Sequence, residues 1–344
     1  MKDNHLNFRV LLAVFILITL GVYSRPNTVS AISLSPTRFE IRGNPGDTLN
    51  EEMLVLNEKK DQETLYSSFA NFEAQGESGT PAFVVPKDDL GTWITTQDSV
   101  TVGPGQQKTI PFKVSIPKDA TPGGHYAVIF WGTAQGGANN TTVGVGAKTG
   151  VLVLLSVNGN VKEQAGLLNF NTVNSKFFYN SLPVSFEYRF KNDGGDRVKP
   201  VGEITIRDSV FFPADYLNAN PSEGNALPNS TRKINVDWVK YERPGDYKAP
   251  AGVFSKFWSD VSYQWKNFAV GLYSANLDVA YGSQGIHVKR TAFFFVFPWQ
   301  LLIVMLVIFI IIFFGGRKLI KHYNKYIIKR ARAGIHFPPE AHNG

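Results

Sequence analysis

The chain contains no cysteine, which rules out thiol catalysis, cysteine-ligated metal sites and disulfide staples together. Exported β-domains of animals usually carry a disulfide, so its absence also points toward a bacterial surface protein. Histidine is scarce. Of the six present, His5 lies near the N-terminus and His322, His336 and His342 near the C-terminus, leaving only His125 and His287 between them. No carboxylate spacing accompanies those two, so neither a metal ion nor a cofactor is expected. A Gly-x-Ser-x-Gly nucleophile turn is missing as well, and the chain is not expected to be an enzyme.

Long apolar runs are also few, and two of them set the topology. The first, Leu11 to Tyr23, follows Lys2 and Arg9 and precedes Val29-Ser30-Ala31, small residues suited to a cleavage site. Residues 1–31 therefore read as a secretory signal peptide, with an uncleaved anchor as the alternative. The second run, Phe293 to Phe314, ends in Gly315-Gly316 and Arg317-Lys318. Its first residues read as a closing strand, Pro298 suits the first turn of a helix, and Trp299 suits a membrane interface. A transmembrane helix over 298–316 is expected, about 18 residues and about 27 Å beyond Trp299 at about 1.5 Å per residue.

Charge supplies the orientation. The formal +7 divides into +2 over residues 1–31 and +6 after Gly316, and subtraction leaves −1 for everything between. That is positive-inside bias rather than a nucleic-acid footprint, so no nucleic-acid partner is expected. The reading is a single-pass protein of the cell membrane, its main domains extracytoplasmic and its basic tail, 317–344, cytoplasmic. Trp299, Arg317, Lys318 and Lys321 mark the two membrane interfaces.

The stretch between is all-β. Thr109 to Ile116 alternates polar and apolar, as do Leu182 to Lys191, Ile234 to Trp238 and Tyr273 to Tyr281, the period of a half-buried strand. Shorter continuous runs, among them Ala127 to Phe130 and Val151 to Leu155, read as core strands. With turn residues between them, these segments predict two tandem immunoglobulin-like β-sandwiches, 32–165 and 166–297, followed by one C-terminal transmembrane α-helix. A weak repeat supports two copies of one design. Strand-Asn-turn occurs at Leu54–Glu58 and Tyr188–Gly194, and Gly-x-Tyr, which suits a tyrosine corner with an inward ring, occurs at Gly124–Tyr126 and Gly271–Tyr273. One helical insert is predicted near 253–268, where Phe254, Phe257, Trp258, Val261, Trp265 and Phe268 form a stripe. It either covers an open end of the second sandwich or rests an aromatic face on the membrane or a partner.

Few residues suggest a ligand. Asp193-Gly194-Gly195-Asp196 reads as a hairpin turn rather than a calcium loop. The loop 135–142 carries Asn139 and Asn140 in a flexible, polar context that suits an adaptable binding tip. Trp93 could stack on a sugar ring, whereas Trp131 ends a core-like strand and should be buried. His125 is expected on a surface or edge.

Leu90-Gly91-Thr92-Trp93-Ile94, Val102-Gly103-Pro104-Gly105-Gln106, Ile116-Pro117, Pro122-Gly123-Gly124-His125-Tyr126 and Gly146 to Val151 with Val157-Asn158-Gly159 resemble the first domain of WxL-interacting surface proteins. The resemblance in layout covers nearly the whole chain, but its motifs are turn and core residues, which specify fold rather than ligand, and it carries over no binding residue. It implies a signal peptide, a first immunoglobulin-like domain that binds peptidoglycan, a second that binds surface partners, and a membrane anchor. The expectation is a non-enzymatic, membrane-anchored surface protein that binds the cell wall or a surface protein. The alternative is an accessory or chaperone-like subunit of an envelope complex, using strand-edge augmentation along 144–157. A third class, an exported hydrolase, would need a cleft with paired acid and base groups.

Overall fold

In the computed structural model, residues 31–133, 147–209 and 212–333 are described. The expected leader, the loop with Asn139 and Asn140, and the end of the tail lie outside the described residues. The chain divides into two units. The first comprises residues up to Glu73 and Phe83–Asn160, the second Ala74–Ala82 and everything from Val161. The boundary between the units thus falls at Asn160/Val161, five residues before the 165/166 expected from the strand pattern.

The first unit begins with β1 (Ile32–Ser35), β2 (Arg38–Gly43), β3 (Thr48–Asn57), β4 (Glu63–Gln75) and β5 (Thr80–Val84), although the last two residues of β4 and the first three of β5 fall in the second unit. A short turn of helix, α1 (Leu90–Trp93), leads into β6 (Ile94–Thr96) and β7 (Ser99–Val102). The long strands β8 (Gln107–Ser115), β9 (Gly123–Gly132) and β10 (Lys148–Val157) complete it. One sheet has the order β1-β3-β8-β6; the other runs β2-β10-β9-β4-β5, with β7 also paired to β4. The alternation read in the sequence decides the facing: Ile110, Phe112, Val114 and Ile116 point into the core and their neighbours to solvent.

The second unit contains β11 (Ala165–Thr172), β12 (Phe178–Tyr179), β13 (Val184–Asn192), β14 (Val201–Arg207), β15 (Pro213–Asn218) and β16 (Ser230–Trp238). Helix α2 (Val253–Lys266) follows, then β17 (Gly271–Tyr281), β18 (Ile286–Val296) and the long helix α3 (Trp299–Ala333). Its sheets are β11-β13-β16 and β12-β18-β17-β14-β15. The core centres on Phe294, whose ring lies 5.4 Å from Phe186, 5.6 Å from Tyr273 and 5.8 Å from Trp238.

Both units follow one plan. In the first, the opening strand changes sheets, with β1 antiparallel to β3 and β2 parallel to β10. In the second, β11 is antiparallel to β13 and β12 parallel to β18. The strand-Asn-turn repeat occupies equivalent places, and its asparagines do the same job. Asn57 ends β3 and Asn192 ends β13, both wholly buried. Each Oδ1 accepts the amide two residues on, from Lys59 at 3.0 Å and Gly194 at 2.9 Å. Each Nδ2 donates to the carbonyl four residues on, Asp61 or Asp196, both at 2.8 Å. It also donates to a distant carbonyl, Val102 at 2.9 Å or Ala226 at 2.8 Å. Asp193–Asp196 is accordingly not the hairpin turn expected from Asn-Asp-Gly-Gly, because β13 and β14 belong to different sheets and the segment crosses between them.

The Gly-x-Tyr repeat holds less well. Tyr273 faces the core and its hydroxyl accepts the Val270 amide at 3.2 Å, as a tyrosine corner should. Tyr126 faces the other way, because Ala127, Ile129 and Trp131 are the inward residues of β9. The two motifs are offset by one residue, and a shift of one turns a side chain to the opposite face. The inward corner position of the first unit belongs to His125, which bonds the backbone carbonyl of Thr121 at 2.8 Å.

Replacing Asn57 or Asn192 by alanine should lower stability by about 2–4 kcal/mol, since each change leaves several buried backbone groups without partners at about 1–3 kcal/mol apiece before relaxation. Denaturant unfolding of the full chain in detergent micelles measures this; a wild-type midpoint for both variants would contradict the shared role.

Candidate interaction surfaces

Trp93 is tied into the first unit rather than displayed. Its ring centroid lies 4.7 Å from that of His125, and it packs half-buried against the core. The residues around it form a tight knot. Asn71 donates to the Asp88 carbonyl at 2.7 Å and accepts the Gly91 amide at 2.7 Å. Asp89 takes φ 70° and ψ −169°, a region that favours glycine, and its carbonyl is bonded by both the amide and the hydroxyl of Thr92. Its carboxylate meets Nδ1 of His125.

His125 is thus buried, not the surface or edge residue expected, for the reason of facing given above. Its two ring nitrogens meet two partners, the Asp89 carboxylate and the Thr121 carbonyl. Neither nitrogen is left for a nucleophile. Trp131 is buried as anticipated, its indole N–H directed at the Met53 sulfur at 3.3 Å.

The sheet containing β9 is apolar on its outer face too. Phe72, Phe83, Tyr126 and Phe130 form a chain of ring contacts there, with Phe83 5.1 Å from Phe130 and 6.4 Å from Phe72. Gly150 permits this layer: a Cβ there would lie 2.7 Å from a Val128 methyl and 2.9 Å from the Phe130 ring. At the edge of the sheet the apolar surface opens to solvent. Phe83 is 47% exposed, Val84 43% and Val85 83%. No strand lies beyond β5 among the described residues. The edge expected at 144–157 is different. From Leu152 to Val157 it is already paired with β2, so only Lys148–Val151 of β10 stays open among its described residues. β18 pairs with β12 only at Phe295 and Val296, and along the stretch beyond that pairing it carries exposed His287, Lys289 and Arg290, the usual protection of an open strand. Lys289 and His287 both bond Asp278 and hold its carboxyl below the usual range.

Sequence reasoning overlooked Phe83–Val85. Its signal is three consecutive apolar residues with no alternation, closed by Pro86 and preceded by Pro81.

The third surface is where the second unit meets α3. This helix is 35 residues long and does not stop at Gly316. Residues 299–316 and the first part of the 317–344 tail form one continuous helix, about 52 Å at about 1.5 Å per residue, with Pro298 just ahead of it. It is long and apolar enough to cross a membrane. Trp299 is at its start, and Arg317, Lys318 and Lys321 are exposed beyond the apolar part. Only Phe297 and Pro298 separate β18 from α3. Helix α2 supplies a cap that the sequence did not disclose. The buried Gln264 accepts the Leu301 amide, one of the unpaired donors of the first turn, at 2.9 Å. Its amide group donates to the side chain of Gln300, and Phe257 contacts Trp299 with ring centroids 6.4 Å apart.

Gln264→Leu should leave the Leu301 amide without an acceptor, at a cost of about 1–3 kcal/mol localised to the start of α3. Hydrogen exchange of a peptide spanning 297–303 should speed up while peptides from β3 and β8 stay unchanged; unaltered exchange there would remove the capping role.

No family model and no curated protein matches the chain. Among solved structures, it is similar to the class 5 fimbriae chaperone CfaA, with 11% identity over 76% of this chain and 99% of that one, TM-score 0.35. It is also similar to the E. coli chaperone DraB, with 12% identity over 76% and 98%, TM-score 0.31. A third is the CsuC-CsuE chaperone-tip adhesion subunit pre-assembly complex of Acinetobacter baumannii, with 11% identity over 59% and 89%, TM-score 0.32. The fold class rests on the strand orders above: the chain is all-β, built from immunoglobulin-like sandwiches, with one long apolar helix at its C-terminal side.

Proposed function

We propose that this chain is a membrane-anchored, non-enzymatic accessory subunit of an envelope protein complex. Its first sandwich takes an extended segment of a protein partner along the Phe83–Val85 edge. Helix α3 spans the bilayer, the sandwiches are extracytoplasmic, and the basic residues from Arg317 onward lie on the cytoplasmic side, in keeping with the charge division along the chain.

The observation that carries the reading is the contrast between edges. An edge strand is a template for another chain, and β18 is guarded by charge where Phe83–Val85 presents three exposed apolar residues in a row. A partner strand there would gain backbone pairing and cover the outer aromatic layer of the sheet in one step. The cell-wall reading has less behind it. Trp93, its best stacking candidate, already gives its ring to His125.

A photo-cross-linking amino acid at Val85, tested in the native envelope, should yield a discrete protein adduct, and one at Lys289 on β18 should not. Adding Phe83→Lys should reduce the Val85 adduct at least about tenfold, as expected when an interface anchor worth about 1.4 kcal/mol or more is lost. Equal adducts at both positions would sink the edge assignment. An adduct that disappears on muramidase digestion would return the chain to wall binding.

A further inference from the structure

We propose that α2 is a membrane-surface helix, its exposed aromatic stripe seated in the interfacial layer of the leaflet that α3 enters. The proposal rests on reading α3 as a span, and is otherwise independent of the partner-binding edge.

Three observations lead to it. The helix carries one broad apolar stripe that is only partly covered. Val261 and Gln264 are buried toward α3, while Phe254 is 77% exposed, Trp258 46% and Trp265 66%. At about 100° per residue those three aromatics fall within about 40° of arc, so they form one line. A helix that served only to close the sandwich would turn this line inward and leave its serines outside; here Ser255 and Ser262 share the solvent with the aromatics.

The second observation is position. Gln264 caps the first turn of α3 and Phe257 touches Trp299, so the helix is fixed at the level where the apolar span begins. A bilayer that receives α3 must therefore meet α2. The third is the surrounding surface. Phe293 and Phe297 on the outward side of the closing strand are also exposed, and Phe297 lies two residues before Trp299. Tryptophan and phenylalanine favour the headgroup level, where an apolar body can leave water and a polar edge can remain in it. A lipid surface fits this arrangement better than a protein would, because these exposed aromatics lie on elements that pack against or lead directly into the start of α3, the level at which a bilayer would begin.

The native chain has no cysteine, so single nitroxide labels can be placed without background. Phe254→Cys, Trp258→Cys, Trp265→Cys, Lys266→Cys and Ile310→Cys would be made in the full chain and reconstituted in phosphatidylcholine–phosphatidylglycerol vesicles. Labels at 254, 258 and 265 should show a several-fold loss of collision with a water-soluble nickel complex relative to 266, and higher collision with oxygen. In the unlabelled chain, brominated phosphatidylcholine should quench tryptophan fluorescence, and the Trp258→Phe/Trp265→Phe double variant should lose much of that quenching. Nickel access at 254, 258 and 265 equal to that at 266, with 310 protected, would overturn the proposal alone. Nickel access at 310 would overturn the spanning reading, and this proposal with it.

Discussion

Each sandwich depends on a chain that leaves one sheet and joins the other without stranding backbone groups in the interior. A buried amide or carbonyl without a partner costs about as much as a good hydrogen bond contributes, and a crossing segment cannot use a ladder. Asn57 and Asn192 solve this twice in the same way. A single side chain completes three backbone groups at the end of a strand, and the neighbouring strands can then pack on a dry core. The recurrence of this device, together with the sheet-changing opening strands, makes the two units copies of one plan despite different lengths and decoration.

The first unit departs from the plan in ways that bear on function. Where the second unit has Tyr273 at the corner, the first has His125, and the Asp89 backbone is held in an unfavourable conformation to meet it. Asn71 and Thr92 over-determine that conformation. Such a knot stiffens the segment just after Val85, and Pro86 lies against the same place through its close approach to Gly91. A rigid approach to an exposed strand lowers the ordering cost of adding another strand beside it.

How much of this was legible in the sequence follows from the range of each signal. Alternation in β8, β13 and β17 is local, and it identified their buried faces residue by residue. The helical stripe of α2 is local too, and its position came out correctly; which of its sides is buried is a tertiary matter, and the sequence left both uses open. Facing errors arose where two periodic patterns competed. Gly-x-Tyr aligned Tyr126 with Tyr273 by letter, whereas Ile129 and Trp131 align His125 with Tyr273 by facing. Asn-Asp-Gly-Gly reads as a hairpin because its residues suit tight turns, and only the sheet partners of β13 and β14 disclose a crossing. The open edge at Phe83–Val85 depends on which strand lies beside β5, a non-local fact. Gln264 as a cap for another helix is non-local as well.

The two exposed apolar surfaces differ in what they demand of an occupant. Phe83–Val85 is short, closed by Pro86 and set at the outer edge of the sheet among the described residues, so an occupant must supply matching amides and carbonyls at strand spacing. Lipid cannot do that. The α2 stripe is helical, with its own backbone groups satisfied internally, so it offers only side chains. What it needs is an environment that accepts aromatic rings without directional bonds, and the interfacial layer is such an environment. Because only Phe297 and Pro298 join β18 to α3, and Gln264 ties α2 to the same turn, the stripe cannot swing away from a membrane that α3 crosses. The lipid contact is then a consequence of the span, whereas the strand edge is free to select a partner.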